Sequence, residues 1–251
     1  MSNYELRLEA PAASAEPPWG WWEIVKAVLF IVIGVVMLGL AVAGAVALTR
    51  SHINRTDKLS SGPLFVAATG IYAIVILAVY LFAVRRAGNS WAAIGLRGFG
   101  WRWWLMIPFL TALEFVGMAF INLRLLQPFT GAPFENPQIE TITGGMRLTQ
   151  HDLFLLLILV AVIAPIAEEL LFRGMLYPVF RHQLGAIGAI AASAFVFGLV
   201  HFIPIIIPGL IFVGLILGWV RERSGSVVPG MVIHALQNGI VMVGIYLITS
   251  T

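Results

Sequence analysis

The sequence predicts an all-α, polytopic membrane helix bundle of about seven transmembrane helices, with eight as the upper count. Hydrophobic residues make up 60% of the 251 residues and charged residues 11%, whereas soluble domains carry about 25% charge. Several apolar runs approach the roughly 20 residues that a helix needs to cross a bilayer. The alternation typical of strands is absent, and exposed backbone groups are not tolerated in lipid, so helices are the expected spanning elements.

The predicted spans follow the apolar runs in chain order. They are residues 27–49, 63–84, 103–123, 153–167, 184–200, 205–220 and 226–248. The fourth keeps a helical pattern as far as Arg181, and the sixth is short, with Pro204 and Pro208 at its entry. Residues 1–22 are predicted to form a disordered cytoplasmic tail, residues 23–150 the N-terminal transmembrane helices and loops, and residues 151–251 a helical core. Trp19, Trp21 and Trp22 are typical of an interfacial aromatic belt.

The distribution of Lys and Arg predicts the orientation, because cytoplasmic loops are enriched in both. On the side of the N-terminus lie Arg7, Lys26, Arg85, Arg86, Arg97, Arg102, Arg181, Arg221 and Arg223. On the other side lie Arg50, Arg55, Lys58, Arg124 and Arg147. The N-terminus of this integral, multi-pass protein is therefore expected in the cytoplasm, and its short loops suggest a bacterial or archaeal plasma membrane.

Composition also excludes several classes of protein. The chain has no Cys, which rules out disulfide scaffolds, cysteine nucleophiles, iron–sulfur clusters and thiolate zinc sites. The net charge is +3, and the basic residues are scattered, so nucleic acid is not an expected partner. Membrane lipid is the expected partner instead.

Six ionisable side chains lie in the predicted spans or directly at their ends: Glu114, Glu168, Glu169, Arg173, His201 and His234. The amide Asn238 is considered with them. Ionisable residues are costly in a membrane and are candidate functional residues. With a turn near residues 182–184, Glu168 and His201 differ in depth by about 4 Å at 1.5 Å per residue. Asn238 falls close to the same depth and His234 about one turn away. One membrane layer is therefore expected to hold Glu168, His201, His234 and Asn238.

Spacing within single helices adds local pairs. Glu169 and Arg173 are four residues apart and can form an ion pair. His234 and Asn238 are also four apart and project together. Phe197 lies one turn before the histidine of the fifth span and can wall its pocket.

Two kinds of chemistry fit this layer. A carboxylate and an imidazole can activate water as a general base, while a second His and an Asn amide can stabilise an oxyanion. Alternatively, Glu168, His201 and His234 can bind Zn²⁺, since two His and one Glu form a catalytic ligand set.

Three motifs carry a resemblance to a known family. The run EELLFR at residues 168–173 resembles the EExxxR motif of type II CAAX prenyl endopeptidases and bacteriocin-processing proteins, a family that includes lysostaphin-resistance-like members. The run FGLVH at residues 197–201 resembles the family's FxxxH motif, and HALQN at residues 234–238 resembles its HxxxN motif. The similar region covers about residues 153–249, and residues 91–96 have the general look of the family's pre-core loop.

The resemblance implies an intramembrane endopeptidase that hydrolyses a peptide bond near the C-terminus of a membrane-associated or prenylated, CAAX-type, peptide. Residues 151–251 would then be its catalytic core. The implied catalytic residues are Glu168, His201, His234 and Asn238, and the implied supporting residues are Glu169, Arg173 and Phe197. Glu168 and His201 would activate water. His234 and Asn238 would form the oxyanion hole.

A mechanism without a metal is favoured, because a carboxylate and a histidine at one depth suffice for it. The sequence has no His-x-x-x-His or Glu-x-x-His pair in the core. A metalloprotease with Zn²⁺ on Glu168, His201 and His234 is the alternative.

Other interpretations of the same residues stay open. Glu169 and Arg173 can be a purely structural ion pair, and His234 and Asn238 can serve helix packing. Glu114 matches no motif and is expected to have a structural or pore-facing role. For the whole chain, the alternative to a protease is a non-enzymatic immunity or scaffold protein, or a proton-coupled carrier, since Glu and His chains also serve proton relays.

Overall fold

The computed structural model describes residues 16–50, 61–130 and 148–250. Within these ranges the chain is helical and contains no β-strand, which confirms the predicted all-α class. Residues 1–15 of the predicted tail lie outside the described residues, as do three of the loop cations used for the orientation, Arg55, Lys58 and Arg147.

The described helices are as follows. The α-helices are α1 (Trp21–Arg50), α2 (Ser61–Val79), α3 (Arg102–Phe120), α4 (Gln127–Thr130), α5 (Gln150–Leu156), α6 (Ala164–Glu169), α7 (Tyr177–Leu199), α8 (Ile207–Ser224) and α9 (Val228–Ser250). Segments of π-helix occupy Tyr80–Val84, Ile121–Leu126, Leu157–Ile163 and Leu170–Leu176, and a 3₁₀ turn occupies Trp91–Ile94.

Five helices in the described ranges are long and apolar enough to cross a membrane. They are Trp21–Leu48, Phe65–Val84, Arg102–Leu126, Gln150–Leu199 and Val228–Thr249. The fourth is interrupted at Gly185, whose φ of 71° and ψ of −176° are not helical, so it consists of two arms, and the predicted turn at residues 182–184 lies directly before this break. The remaining helix, α8, ends in three charged residues. A polytopic bundle is confirmed, while the count of seven spans stays a prediction.

Helix α1 is much more exposed than the helices that form the core of the protein. Helix α1 exposes large apolar side chains along its length, among them Val32, Met37 and Leu40, as expected for a surface in contact with lipid. A buried cluster farther along the chain includes Phe172 and Phe197. This cluster joins α3, α7, α8 and α9 around the polar residues of the predicted layer.

The start of the chain differs from the predicted tail and aromatic belt. Trp21 and Trp22 already belong to α1. Trp19 is 3% exposed, and its indole N–H donates a hydrogen bond of 2.9 Å to the carbonyl of Met175. The predicted interfacial position is therefore wrong for Trp19, because a buried tryptophan with a backbone acceptor is satisfied inside the fold.

A loop connection holds the end of α8 against the core. The turn Trp91–Ile94 is followed by Gly95, whose carbonyl accepts a hydrogen bond from the N–H of Val227 at 2.9 Å. The Nε of Arg221 donates to the carbonyl of Arg173 at 3.1 Å. A Cβ at Gly95 would lie 2.7 Å from the Arg221 guanidinium, so glycine permits this close approach. The loop thereby ties α8 and α9 to the segment that carries the predicted site.

Candidate active site

The helix that carries the two adjacent glutamates is built from alternating local geometries. It begins at α5 with a capping box, in which the side chains and backbone N–H groups of Thr149 and Asp152 bond reciprocally. Segments of π-helix, Leu157–Ile163 and Leu170–Leu176, then flank α6 on both sides. Segments of π-helix are rare in proteins as a whole, and those that occur are often found at functional sites. Glu168 and Glu169 are the last two residues of α6.

Glu169 and Arg173 form a fully buried ion pair. Their charged atoms are 2.8 Å apart and both side chains are 0% exposed. A second guanidinium N–H of Arg173 donates to the carbonyl of Gly214 at 3.1 Å, and the guanidinium carbon lies 4.6 Å from the centre of the Phe197 ring. Arg173 therefore binds α6, α7 and α8 together, and the predicted pairing is present.

Helix α9 brings His234 between the two glutamates. Its Nε2 is 3.8 Å from a carboxylate oxygen of Glu168, and its Nδ1 is 3.6 Å from a carboxylate oxygen of Glu169. The side chain of Glu168 is 19% exposed, that of His234 5% and that of Glu169 0%. Glu168 is therefore the member of this trio with the most access to an incoming molecule.

His201 is connected to Glu168, Glu169 and His234 through the ring of Phe197, which packs against both histidines. The ring of Phe197 lies with its centre 5.1 Å from that of His201 and 5.7 Å from that of His234. The Nδ1 of His201 is 2.8 Å from the carbonyl of Phe197. Because a carbonyl only accepts, Nδ1 carries the hydrogen, and the Nε2 of a neutral imidazole is left as an acceptor. Among the described residues Glu168 pairs with His234 and not with His201.

Asn238 is directed at the backbone of the glutamate helix. Its side-chain amide donates a hydrogen bond of 3.0 Å to the carbonyl of Val160, within a π-helical segment. A primary amide has two N–H donors, so one remains for another acceptor. The structure thus ties Asn238 to the helix that carries Glu168 without a direct contact to the carboxylate.

Two residues near the site carry no motif. Tyr72, on α2, lies close enough to Glu168 to interact with it electrostatically. Glu114, on α3, is 0% exposed and interacts electrostatically with Glu169 and Arg173, while neither of its oxygens has a hydrogen-bond partner among the described residues. Its position beside the ion pair agrees with a structural role. In the sequence, Glu114 was noticed only because it is a carboxylate inside a predicted span. No feature of the sequence indicated that Tyr72 lies near the site.

The side chains around Glu168 were also expected to be able to hold a metal ion. In the part of the chain that the structure describes, no three His, Cys, Asp or Glu side chains are grouped so that they could hold one ion. The alternative ligand set of Glu168, His201 and His234 is not assembled, because His201 packs against Phe197 and bonds its carbonyl.

Comparison with known proteins bears on this geometry. A family model described as type II CAAX prenyl endopeptidase Rce1-like matches residues 150–240. This part of the chain is similar to the Rce1-like family. The matched segment starts at α5 and includes most of α9, so it contains all seven residues of the three motifs. No curated protein and no solved structure matches the chain.

The match to the Rce1-like model supports a peptidase of the CAAX type that acts within a membrane. The family acts on prenylated peptides, which agrees with the kind of partner expected from the sequence. Tyr72 and Glu114 lie outside the matched segment, since α2 and α3 precede residue 150. These two side chains therefore come from helices outside the matched segment.

Proposed function

We propose that the chain is an intramembrane endopeptidase that hydrolyses a peptide bond near the C-terminus of a membrane-associated or prenylated, CAAX-type, peptide. One observation carries the proposal: the partly exposed carboxylate of Glu168 lies 3.8 Å from the imidazole of His234. Both belong to the segment matched by the Rce1-like family.

In the proposed reaction, Glu168 takes a proton from a water molecule, whose oxygen attacks the scissile carbonyl carbon. The carbonyl becomes a tetrahedral oxyanion. The intermediate collapses as its C–N bond breaks, and the proton passes to the leaving amine. Positioned acid–base groups of this kind contribute about 10²–10⁴ in rate.

His201 is proposed to assist this water activation. Its Nε2 is a free acceptor when Nδ1 donates to the carbonyl of Phe197. Catalytic hydrogen bonds are often long without substrate and tighten in the complex, so the separation of His201 from Glu168 does not exclude the role.

His234 and Asn238 are proposed to stabilise the oxyanion. His234 faces the Glu168 carboxylate, and Asn238 has one amide N–H beyond its bond to Val160. A single donor to an oxyanion contributes about 10²–10³ in kcat. Glu169, Arg173 and Phe197 hold these residues in place through the buried ion pair and its aromatic contact.

Residues 151–251 form the catalytic core, residues 23–150 add membrane helices, and residues 1–22 lie on the cytoplasmic side. The reaction needs no metal, because the carboxylate and the two imidazoles supply its acid–base steps. The substrate reaches the site from the cytoplasmic side of a bacterial or archaeal plasma membrane.

Cleavage of a quenched CAAX-type peptide, with and without a farnesyl group, tests the proposal. Detergent-purified wild type is compared with Glu168→Gln and with Glu16→Gln, which makes the same chemical change at an exposed position. Glu168→Gln is expected to lower kcat by about 10²–10⁴, whereas Glu16→Gln is expected to match wild type.

Other outcomes of these assays would contradict the proposal. Equal turnover by wild type and Glu168→Gln would show that Glu168 is not the base. Peptide binding without cleavage by folded wild type would favour the immunity or scaffold interpretation. Proton flux across vesicles without cleavage would favour the carrier.

A further inference from the structure

A second polar feature lies away from the glutamate site, at the end of the α1–α2 pair. A cavity of about 370 Å³ is lined by Lys26, Leu81, Phe82, Arg85 and Arg86. Lys26 belongs to the first turns of α1. Leu81 and Phe82 belong to the π-helical segment that follows α2, and Arg85 and Arg86 come directly after that segment. Cavities that hold small ligands begin at about 300 Å³, so the space is large enough for a small polar group.

The charges around this cavity do not cancel. Glu23 lies 3.4 Å from Lys26 and 3.3 Å from Arg86, so one carboxylate is shared by two cations. Arg85 is exposed and has no carboxylate partner among the described residues. Three cations and one carboxylate leave an excess of two positive charges, which favours an anion.

The position of the cavity indicates where that anion comes from. Trp22, on the same turn as Lys26, is 65% exposed, and the Lys26 ammonium lies 5.4 Å from the centre of its ring. Exposed tryptophan and lysine are typical of the headgroup level of a bilayer. The neighbouring surface of α1 exposes Val25 and Leu29, which suits acyl chains. The site thus combines cations at headgroup level with an apolar surface below them.

We propose that the cavity bounded by Lys26, Arg85 and Arg86 binds the phosphate of an anionic phospholipid. Guanidinium groups bind phosphate oxygens through paired N–H donors, and basic pockets between membrane helices bind anionic headgroups. Leu81 and Phe82 form the apolar part of the lining. The lipid would stabilise the packing of α1 on α2 and is independent of peptide cleavage.

Lipid titration of the purified full-length chain, read by native mass spectrometry, tests this site. The probes are dioleoylphosphatidylglycerol, dioleoylphosphatidylcholine and soluble glycerol 3-phosphate. The variant Arg85→Gln/Arg86→Gln removes two cations of the cavity. The matched control, Arg102→Gln/Arg223→Gln, removes two exposed cations elsewhere.

The cavity variant is expected to bind dioleoylphosphatidylglycerol about 30-fold more weakly than wild type, because each cation near a membrane surface contributes about 5-fold. The control variant should stay within about 2-fold of wild type, and excess glycerol 3-phosphate should not displace the lipid. If the double variant does not fold, Arg85→Gln alone is expected to weaken binding about 5-fold.

Three results would overturn the proposal. One is equal affinity of wild type for the two lipids. Another is the same loss in both double variants, which would mean that overall charge and not this cavity attracts the lipid. The third is displacement by glycerol 3-phosphate, which would assign the site to a soluble phosphate.

Discussion

Replacing Arg173 with methionine breaks the buried ion pair at the centre of the site. Methionine keeps much of the apolar volume but removes the charge and every donor. The Glu169 carboxylate, at 0% exposure, would then lose its cation. Arg173 also interacts electrostatically with Glu168 and Glu114, so two further carboxylates lose a favourable charge.

The magnitude follows from the contacts that disappear. Removing one partner of a buried pair costs about 3–5 kcal/mol. The carbonyl of Gly214 loses a hydrogen bond of 3.1 Å from a charged donor, and such a bond contributes about 1.5–3 kcal/mol. The contact with the Phe197 ring contributes up to about 2 kcal/mol. These terms overlap, because one guanidinium makes all three contacts. We therefore expect Arg173→Met to lower the free energy of unfolding by about 3–5 kcal/mol.

The assay is reversible unfolding of the purified protein in mixed micelles, followed by circular dichroism. Arg173→Met, Glu169→Gln and the double variant form a cycle, and Arg223→Met is the control at an exposed position. The control should change stability by less than about 0.5 kcal/mol. The double variant should be less destabilised than the sum of the single variants by about 1–3 kcal/mol.

A loss below about 1 kcal/mol for Arg173→Met, or strict additivity in the cycle, would refute this reasoning. Either result would mean that Glu169 and Arg173 do not depend on each other. The contribution of the pair to site geometry would then have to be abandoned.

Two further predictions concern the backbone and the pH dependence of stability. Gly185→Ala should lower the free energy of unfolding by about 1–3 kcal/mol in the same assay, because the backbone of Gly185 lies in a region nearly restricted to glycine. Nothing lies within 4 Å of the added Cβ, so a steric clash would not be the cause. The control Gly39→Ala, in open space on a regular helix, should cause no loss, and equal effects of the two substitutions would exclude backbone strain. Burial favours the neutral form of Glu222, but hydrogen bonds from Arg181 and Tyr177 outweigh it and lower its pKa below 4.5. Its stabilising contribution should therefore be present above about pH 4.5 and be lost as the pH falls through its folded-state pKa. Unfolding midpoints measured between about pH 6 and pH 3 should fall more steeply for wild type than for Glu222→Gln, and parallel curves would contradict the assignment.

Contacts within one helix were predictable from the sequence. The spacing of Glu169 and Arg173 predicted their pairing, because residues four apart share a helix face, and the structure has the pair. Hydropathy likewise located the helices, and the turn predicted at residues 182–184 lies next to the break at Gly185.

Contacts between helices were less predictable. A depth argument gives the level of a residue along the membrane normal but not its direction around the helix axis. It therefore placed His201 and His234 in one layer without showing that His234 is the one that faces Glu168. The π-helical segments also change the directions of the side chains around the helix axis, and no pattern in the sequence predicted these segments. Tyr72 reaches Glu168 from a distant helix, which spacing within one helix cannot reveal. The interfacial position predicted for Trp19 was wrong because its hydrogen-bond acceptor, the carbonyl of Met175, is distant along the chain and cannot be inferred from local sequence.

In the proposed reaction Glu168 activates a water molecule and does not attack the substrate itself. A single turnover of a CAAX-type peptide in oxygen-18-labelled water, with the products analysed by mass spectrometry, tests it most directly. We expect every new carboxylate to contain one labelled oxygen after the first turnover, and Glu168→Gln to form no product on that timescale. Unlabelled product would mean that the oxygen came from a protein carboxylate, and the absence of any hydrolysis would contradict the proposed peptidase.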